Sequence, residues 1–245
     1  MCIRDRRKTL GLLFFNPSLR TRLSTQKAGR LLGMDVMVMN FSNEAWAIEY
    51  EDETIMEGLR SEHVKEAAQV ISQYCDVVDI RAFATLTDKE KDESEQVLQS
   101  FIKYATVPIL NMESATAHPL QALADALTLT ELSLPKKPKV VLTWAPHPKA
   151  LPHAVGNSFA RMMGHIDAKF LIANPEGYDL DPRITKGVKV VHNQDESLKD
   201  ADVVYAKNWS SYDSYGQILR IDNKWMLTPE KTVSYTHLRA HETLL

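Results

Sequence analysis

The chain has 245 residues, a formal net charge of -3, 44% hydrophobic and 25% charged residues, and two cysteines, Cys2 and Cys75. That composition predicts one large or two modest packed domains. With no basic stripe, and no apolar run near the roughly 20 residues of a bilayer span, it argues against a nucleic-acid surface and a membrane segment. Two cysteines and no apolar signal region at the start argue against a disulfide framework and a cysteine-based metal site, and the chain reads as cytoplasmic. Residues 1–6 and 233–245 break the composition of the rest and resemble translated sequencing-adapter tails. They are set aside as non-native tails of a truncated chain, the alternative being genuine disordered termini.

Residues 9–15 are short, apolar and aromatic-rich, which suits a buried strand, and Asn16-Pro17 cannot continue it because proline lacks an N–H. Ser18 is then placed to N-cap a helix running to Leu32, with Leu23, Ala28, Leu31 and Leu32 on one face and Gly33 as its stop. Ser18, Arg20, Thr21 and Arg22 therefore crowd the first turn. Two guanidiniums at the positive end of a helix dipole are a local misfit, since that end favours acidic groups. Converging guanidiniums, hydroxyls and free amides suit a phosphate. The other reading is a solvated helix start that is merely basic.

Residues 35–40 predict a strand, followed by an irregular stretch carrying Trp46 and an acidic loop through Gly58. Over 61–75 the recurrence of Val64, Ala67, Ala68, Ile71 and Cys75 predicts an amphipathic helix, with His63 as a surface or capping residue. A strand over 76–80 puts Arg81 at its carboxyl end; a helix over 90–104 follows, then a strand over 107–112 with Glu113 just past it. This alternation predicts a parallel α/β sheet, whose ligands bind beyond the strand carboxyl ends, where Arg81 and Glu113 fall. His118-Pro119-Leu120-Gln121 opens the next helix with proline at a favourable first position and His118 and Gln121 on one face. Taken alone, a histidine there is more commonly a cap.

The proline and lysine run at 134–138 is the expected domain boundary, and beyond it the α/β pattern restarts. Strands are expected over 139–144, 169–173 and 203–206, helices over 151–163 and 196–201, with His147 in a proline-flanked loop and Lys207 at the last strand's end. The rhythm is Rossmann-like. The loop after 139–144 has no G-x-G-x-x-G, however, and its prolines remove amides a dinucleotide needs, which disfavours nicotinamide cofactors.

Taken together, Ser18-Leu19-Arg20-Thr21-Arg22, Arg81 and His118-Pro119-Leu120-Gln121 resemble the carbamoyl-phosphate signature of the aspartate/ornithine carbamoyltransferase family. Within it, Phe14-Phe15-Asn16, Met37 to Phe41, Trp144 to Pro148, Pro175 to Tyr178 and Lys207-Asn208-Trp209 are most similar to the N-acylornithine branch, acetyl or succinyl. The resemblance covers about residues 8 to 232. It implies two Rossmann-like α/β domains with parallel sheets, a carbamoyl-phosphate domain over 7–134 and an acylornithine domain over 138–232. It further implies a homotrimer with shared active sites, small-molecule substrates and no cofactor or metal. The implied reaction gives N-acylcitrulline and phosphate in arginine biosynthesis.

Carried over by motif, Ser18, Leu19, Arg20 and Thr21 would hold the phosphate with Arg22 supporting the turn, and Trp46 would reach into a neighbouring subunit's site. Arg81, His118 and Gln121 would bind the carbamoyl end, and Glu113, His147 and Lys207 the acylornithine. Arg81, His118, Arg20 and Thr21 would be catalytic. The family's first helix, its His-Cys-Leu-Pro segment, a distal phosphate-binding arginine and a closing helix have no counterpart, so the piece in hand is expected to be weakly active or inactive. Ser61 leaves the acyl group open between acetyl and succinyl. Ornithine carbamoyltransferase and a non-catalytic phosphate-binding module remain as alternatives.

Overall fold

The computed structural model describes residues 8–42, 47–56, 60–219 and 223–232, so the expectations for residues 1–6, Trp46 and 233–245 lie outside the described residues. In chain order the elements are β1 (Thr9–Phe14), α1 (Arg20–Leu31), β2 (Asp35–Asn40), β3 (Ile48–Glu49), β4 (Glu62–His63), α2 (Val64–Tyr74), β5 (Val77–Ala82), α3 (Lys89–Ser94), α4 (Gln96–Tyr104) and β6 (Ile109–Ser114). There follow α5 (Pro119–Glu131), β7 (Lys139–Trp144), α6 (Ala154–Met163), β8 (Lys169–Ala173), α7 (Pro182–Thr185), β9 (Lys189–Val191), α8 (Gln194–Leu198), β10 (Val203–Lys207), a 3-10 turn (Asn223–Trp225) and α9 (Pro229–Thr232). The chain forms two compact units, Met1–Thr85 with Glu90–Thr116, and Leu86–Lys89 with Ala117–Leu245. The helix opened by His118 thus groups with the second unit, ahead of the proline and lysine run.

The first unit holds a parallel sheet in the order β2-β1-β5-β6. The chain lays β2 on one side of β1 and then crosses to place β5 on the other, so β1 and β5 flank a topological switch point. The second unit holds a parallel sheet of different strand order, β10-β7-β8-β9: the chain adds β8 and β9 on one side of β7 before it crosses to β10, so the switch falls between β7 and β10. β1 reads as an unbroken apolar run because both its faces are covered. Leu10, Leu12 and Phe14 pack with Met112, while Leu13 packs with Val78 and Ile80.

Two helices differ from expectation in more than their bounds, while the one expected over 196–201 runs Gln194–Leu198. The face of α1 expected to be buried is exposed at Leu23, Ala28, Leu31 and Leu32, and the buried residue is Gly29. A side chain at Gly29 would meet Val36 at 2.9 Å and Leu10 at 3.1 Å, so the helix approaches its sheet through the glycine rather than through leucines. The helix expected over 90–104 is broken into α3 and α4 at Glu95, which takes a left-handed φ of 49°. By contrast, α2 buries Val64, Ala67 and Ala68, and His63 caps it by accepting from the Lys65 N–H.

Candidate active site

At the first unit's switch point, the β1 turn and the end of β5 are joined by one side chain. The Arg81 guanidinium donates from Nη1 to the carbonyls of Asn16 at 3.1 Å and Pro17 at 2.8 Å, and its Nη2 pairs with Glu113 Oε2 at 2.9 Å. Its plane lies over Phe83, 4.6 Å from the ring centroid. Arg81 is 9% exposed, and its Nε is buried without a partner. The pairing with Glu113 depends on an irregularity. Ile80 sits opposite Asn111 but Arg81 opposite Glu113, so Met112 is an extra residue in β6 that turns Glu113 towards the arginine. Asn16 completes the clamp by accepting the Phe83 N–H on Oδ1 at 2.9 Å.

The turn so held leads directly into Ser18 to Arg22. Ser18 is not the cap expected of it: α1 has Leu19 at the N-cap position with no side-chain capping bond. The first-turn amides therefore point outward uncapped, the arrangement that receives anions. Arg20 and Arg22 are exposed, and among the described residues neither has an ion-pair partner. Two exposed cations at a helix start without a side-chain cap, beside a clamped turn, are suited to take a phosphate group.

The second unit carries the other residues. His118 N-caps α5 through Nδ1, which accepts from the Gln121 N–H at 3.4 Å, while its backbone N–H donates to Ser158 Oγ at 2.7 Å. An acceptor role for Nδ1 assigns the proton of a neutral ring to Nε2, which makes that nitrogen a donor. The capping reading and the ligand reading are thus compatible. Gln121 donates from Nε2 to the buried Asp125 at 2.8 Å.

At the carboxyl end of that unit's sheet, Lys207 faces Trp144 in register, and the following loop holds His147, whose Nδ1 lies 3.1 Å from the Lys149 nitrogen. Two indoles fix this end. Trp144 Nε1 donates to the Trp209 carbonyl at 2.8 Å, and Trp209 Nε1 to the Tyr178 carbonyl at 2.7 Å. Ala145 N–H donates to the Lys207 carbonyl at 3.0 Å, and Asn208 Nδ2 to the Ala145 carbonyl at 2.7 Å. Ser18, Leu19, Arg20, Thr21, Arg81 and Glu113 therefore belong to one unit, and His118, Gln121, His147 and Lys207 to the other.

Three acids escaped the sequence reading. Asp79 lies on β5 two residues before Arg81, 3% exposed, with one buried oxygen lacking a partner; burial pushes its carboxyl up to about 7. Its place between Val78 and Ile80 in the middle of a strand was the only signal. Asp92 and Glu95 read as outward charges of a single helix, because nothing local announces the break at Glu95.

An α/β protein with two four-stranded parallel sheets and an arginine-clamped turn at the first switch point is the class that this geometry defines. The sequence model described as "Aspartate/ornithine carbamoyltransferase, carbamoyl-P binding domain" matches residues 4–131. The chain is 48% identical over 225 residues to an N-succinylornithine carbamoyltransferase of Bacteroides thetaiotaomicron, which covers 91% of this chain and 71% of that protein. A solved acetylornithine transcarbamylase complexed with acetylcitrulline superposes with a TM-score of 0.80 at 37% identity, covering 92% of this chain and 69% of the other. A mutant N-acetyl-L-ornithine transcarbamylase complexed with carbamyl phosphate and N-succinyl-L-norvaline matches equally, with TM-score 0.80, 37% identity, and 92% and 70% covered. The chain belongs to the aspartate/ornithine carbamoyltransferase family.

Proposed function

We propose that this chain transfers the carbamoyl group of carbamoyl phosphate to the δ-amine of an N-acylornithine. The observation that carries this reading is the Arg81 clamp, which holds the Asn16 and Pro17 carbonyls at the entrance to Ser18-Leu19-Arg20-Thr21-Arg22. In this reading Ser18, Leu19, Arg20 and Thr21 bind the phosphate with Arg22 in support. Arg81, His118 and Gln121 face the carbamoyl end, and Glu113, His147 and Lys207 hold the acylornithine. Trp46 comes from a neighbouring subunit of a homotrimer. Residues 7–134 and 138–232 serve as the two substrate domains.

The amine nitrogen bonds to the carbamoyl carbon, negative charge grows on the carbonyl oxygen, and the carbon–oxygen bond to phosphate breaks. Donors set for the charged oxygen, here Arg81, His118 Nε2 and the Thr21 hydroxyl, are each commonly worth about 10²–10³ in rate. The departing phosphate takes the amine's proton, and alignment of the two substrates supplies the rest. The reaction belongs to arginine biosynthesis, placed in the cytoplasm; among the described residues no helix is long and apolar enough to cross a membrane.

The test is product formation from carbamoyl phosphate with acetylornithine, succinylornithine and ornithine in parallel, alongside calorimetric titration of carbamoyl phosphate. Turnover of an acylated substrate but not of ornithine is expected, and the preferred acyl chain settles the branch. Preference for free ornithine overturns the acyl assignment. Carbamoyl-phosphate affinity unchanged in Arg20→Gln overturns the phosphate site itself.

A further inference from the structure

The Arg81–Glu113 pair hangs between two loops, and both loops are tied to the same place. Asp92 Oδ1 accepts from the Thr85 N–H at 3.0 Å and its hydroxyl at 3.1 Å, with Oδ2 3.2 Å from that hydroxyl. Thr85 lies just beyond β5, whose end carries Arg81. Three residues along, Glu95 Oε1 accepts from Ser114 Oγ at 2.5 Å, from the Thr116 N–H at 3.0 Å and from the Thr116 hydroxyl at 2.6 Å. Ser114 directly follows Glu113, and its hydroxyl also accepts from Asn111 Nδ2 at 2.9 Å.

The elbow between α3 and α4 is shaped for this. Glu95 sits at φ 49° and ψ 41°, a left-handed conformation that costs a residue with a side chain free energy. Its N–H donates to the Asp92 carbonyl at 3.1 Å, which fixes the two acids relative to each other. Beneath the elbow lies a cavity of about 200 Å³ lined by Phe15, Asn16, Phe83, Thr85, Asp92 and Glu95.

We infer that Asp92 and Glu95 form an acidic staple that positions the Arg81–Glu113 pair, and through it the anion turn. Glu95 touches no reacting group; it is a positioning residue, and its strained backbone persists because the carboxylate is held in place. The inference rests on the carbamoyl-phosphate reading for its functional consequence, but not for its geometry.

Glu95→Gly separates the two. Glycine relieves the left-handed backbone, which offsets the lost hydrogen bonds, so a residue that serves stability alone would leave carbamoyl-phosphate affinity at the parent value whatever the melting temperature did. The staple predicts instead that the Thr116 amide exchanges hydrogen at least about 10-fold faster, with α2 amides unchanged, and that carbamoyl phosphate binds about 10-fold more weakly at an unchanged melting temperature. Glu95→Gln, which keeps an acceptor oxygen, should recover most of both. Should Glu95→Gly not fold, Thr116→Val removes one of the three bonds without touching the elbow and is expected to weaken binding about 3-fold. Wild-type exchange at Thr116 in Glu95→Gly, or wild-type affinity in Thr116→Val, overturns the staple. If the parent chain itself does not bind carbamoyl phosphate, the functional reading fails, while the exchange experiment still decides the geometry.

Discussion

Each unit holds a four-stranded parallel sheet with one switch point, but the two switch points are held by opposite means. In the first, β1 ends at Asn16-Pro17 and the clamp is ionic: one buried guanidinium takes two carbonyls and a carboxylate. In the second, β7 ends at Ala145-Pro146 and the clamp is aromatic: Trp144 and Trp209 each spend an indole N–H on a backbone carbonyl, with Trp209 fully buried. A charge at the core of a clamp leaves a field for an anion to feel; an indole leaves a neutral, rigid edge on which His147 and Lys207 are mounted. The difference matches the chemistry proposed for each, a phosphate in one and an amino-acid derivative in the other.

Breaking the ionic clamp should have the largest effect. Arg81→Ala removes the guanidinium that pairs with Glu113, whose side chain is 13% exposed, and frees the Asn16 and Pro17 carbonyls. A loss of about 3–5 kcal/mol is expected in a urea melt, together with loss of carbamoyl-phosphate binding. Arg81→Lys should recover only a minor part, since an ammonium cannot serve three acceptors in a fork. Wild-type binding by either variant would show that the turn does not depend on the clamp.

The aromatic clamp should yield less. Trp209→Phe removes the bond to the Tyr178 carbonyl and leaves that acceptor and some volume unfilled, at a cost of roughly 2–3 kcal/mol. Affinity for carbamoyl phosphate should stay within about 2-fold of the parent, while the KM for the acylated amine rises. Equal damage to both substrates would dissolve the distinction between the units.

How much of this could be read from residue order follows the range of the interactions. β1, β2, β7 and β8 are contiguous apolar runs between turn residues, and sequence places them almost as they stand. The basic helix start proposed as an anion site stands out in the sequence because its misfit is local: arginines where a helix start favours acids. The bulge that sets Arg81 against Glu113 is a property of strand pairing, and the ties from Asp92 and Glu95 cross from a helix to two loops. Neither leaves a mark on a helical or alternating pattern. The exposed leucines of α1 mislead for a related reason: periodicity finds an apolar stripe, but Gly29 lets the backbone, not the stripe, approach the sheet.

The smallest effect probes the charge that the ionic unit carries without a partner. Asp79 has an ordinary carboxyl value near 3.8 when unfolded and about 7 when folded, raised by burial in the sheet opposite Leu12 and not by a neighbouring charge. Between those values the folded chain binds more protons than the unfolded one, so stability falls as pH rises from about 4 to about 7 and is level above. The full shift would correspond to roughly 4 kcal/mol, and relaxation around the charge should leave about 1–2 kcal/mol measurable. Asp79→Asn removes the titration while keeping an unpartnered polar group. Urea midpoints at pH 5 and pH 8 should therefore show the variant level with or below the parent at the lower pH and about 1 kcal/mol above it at the higher. Parallel pH profiles for the two proteins would mean that Asp79 is ionised in the fold throughout, and that the ionic unit neutralises it with a group on the same face of the sheet.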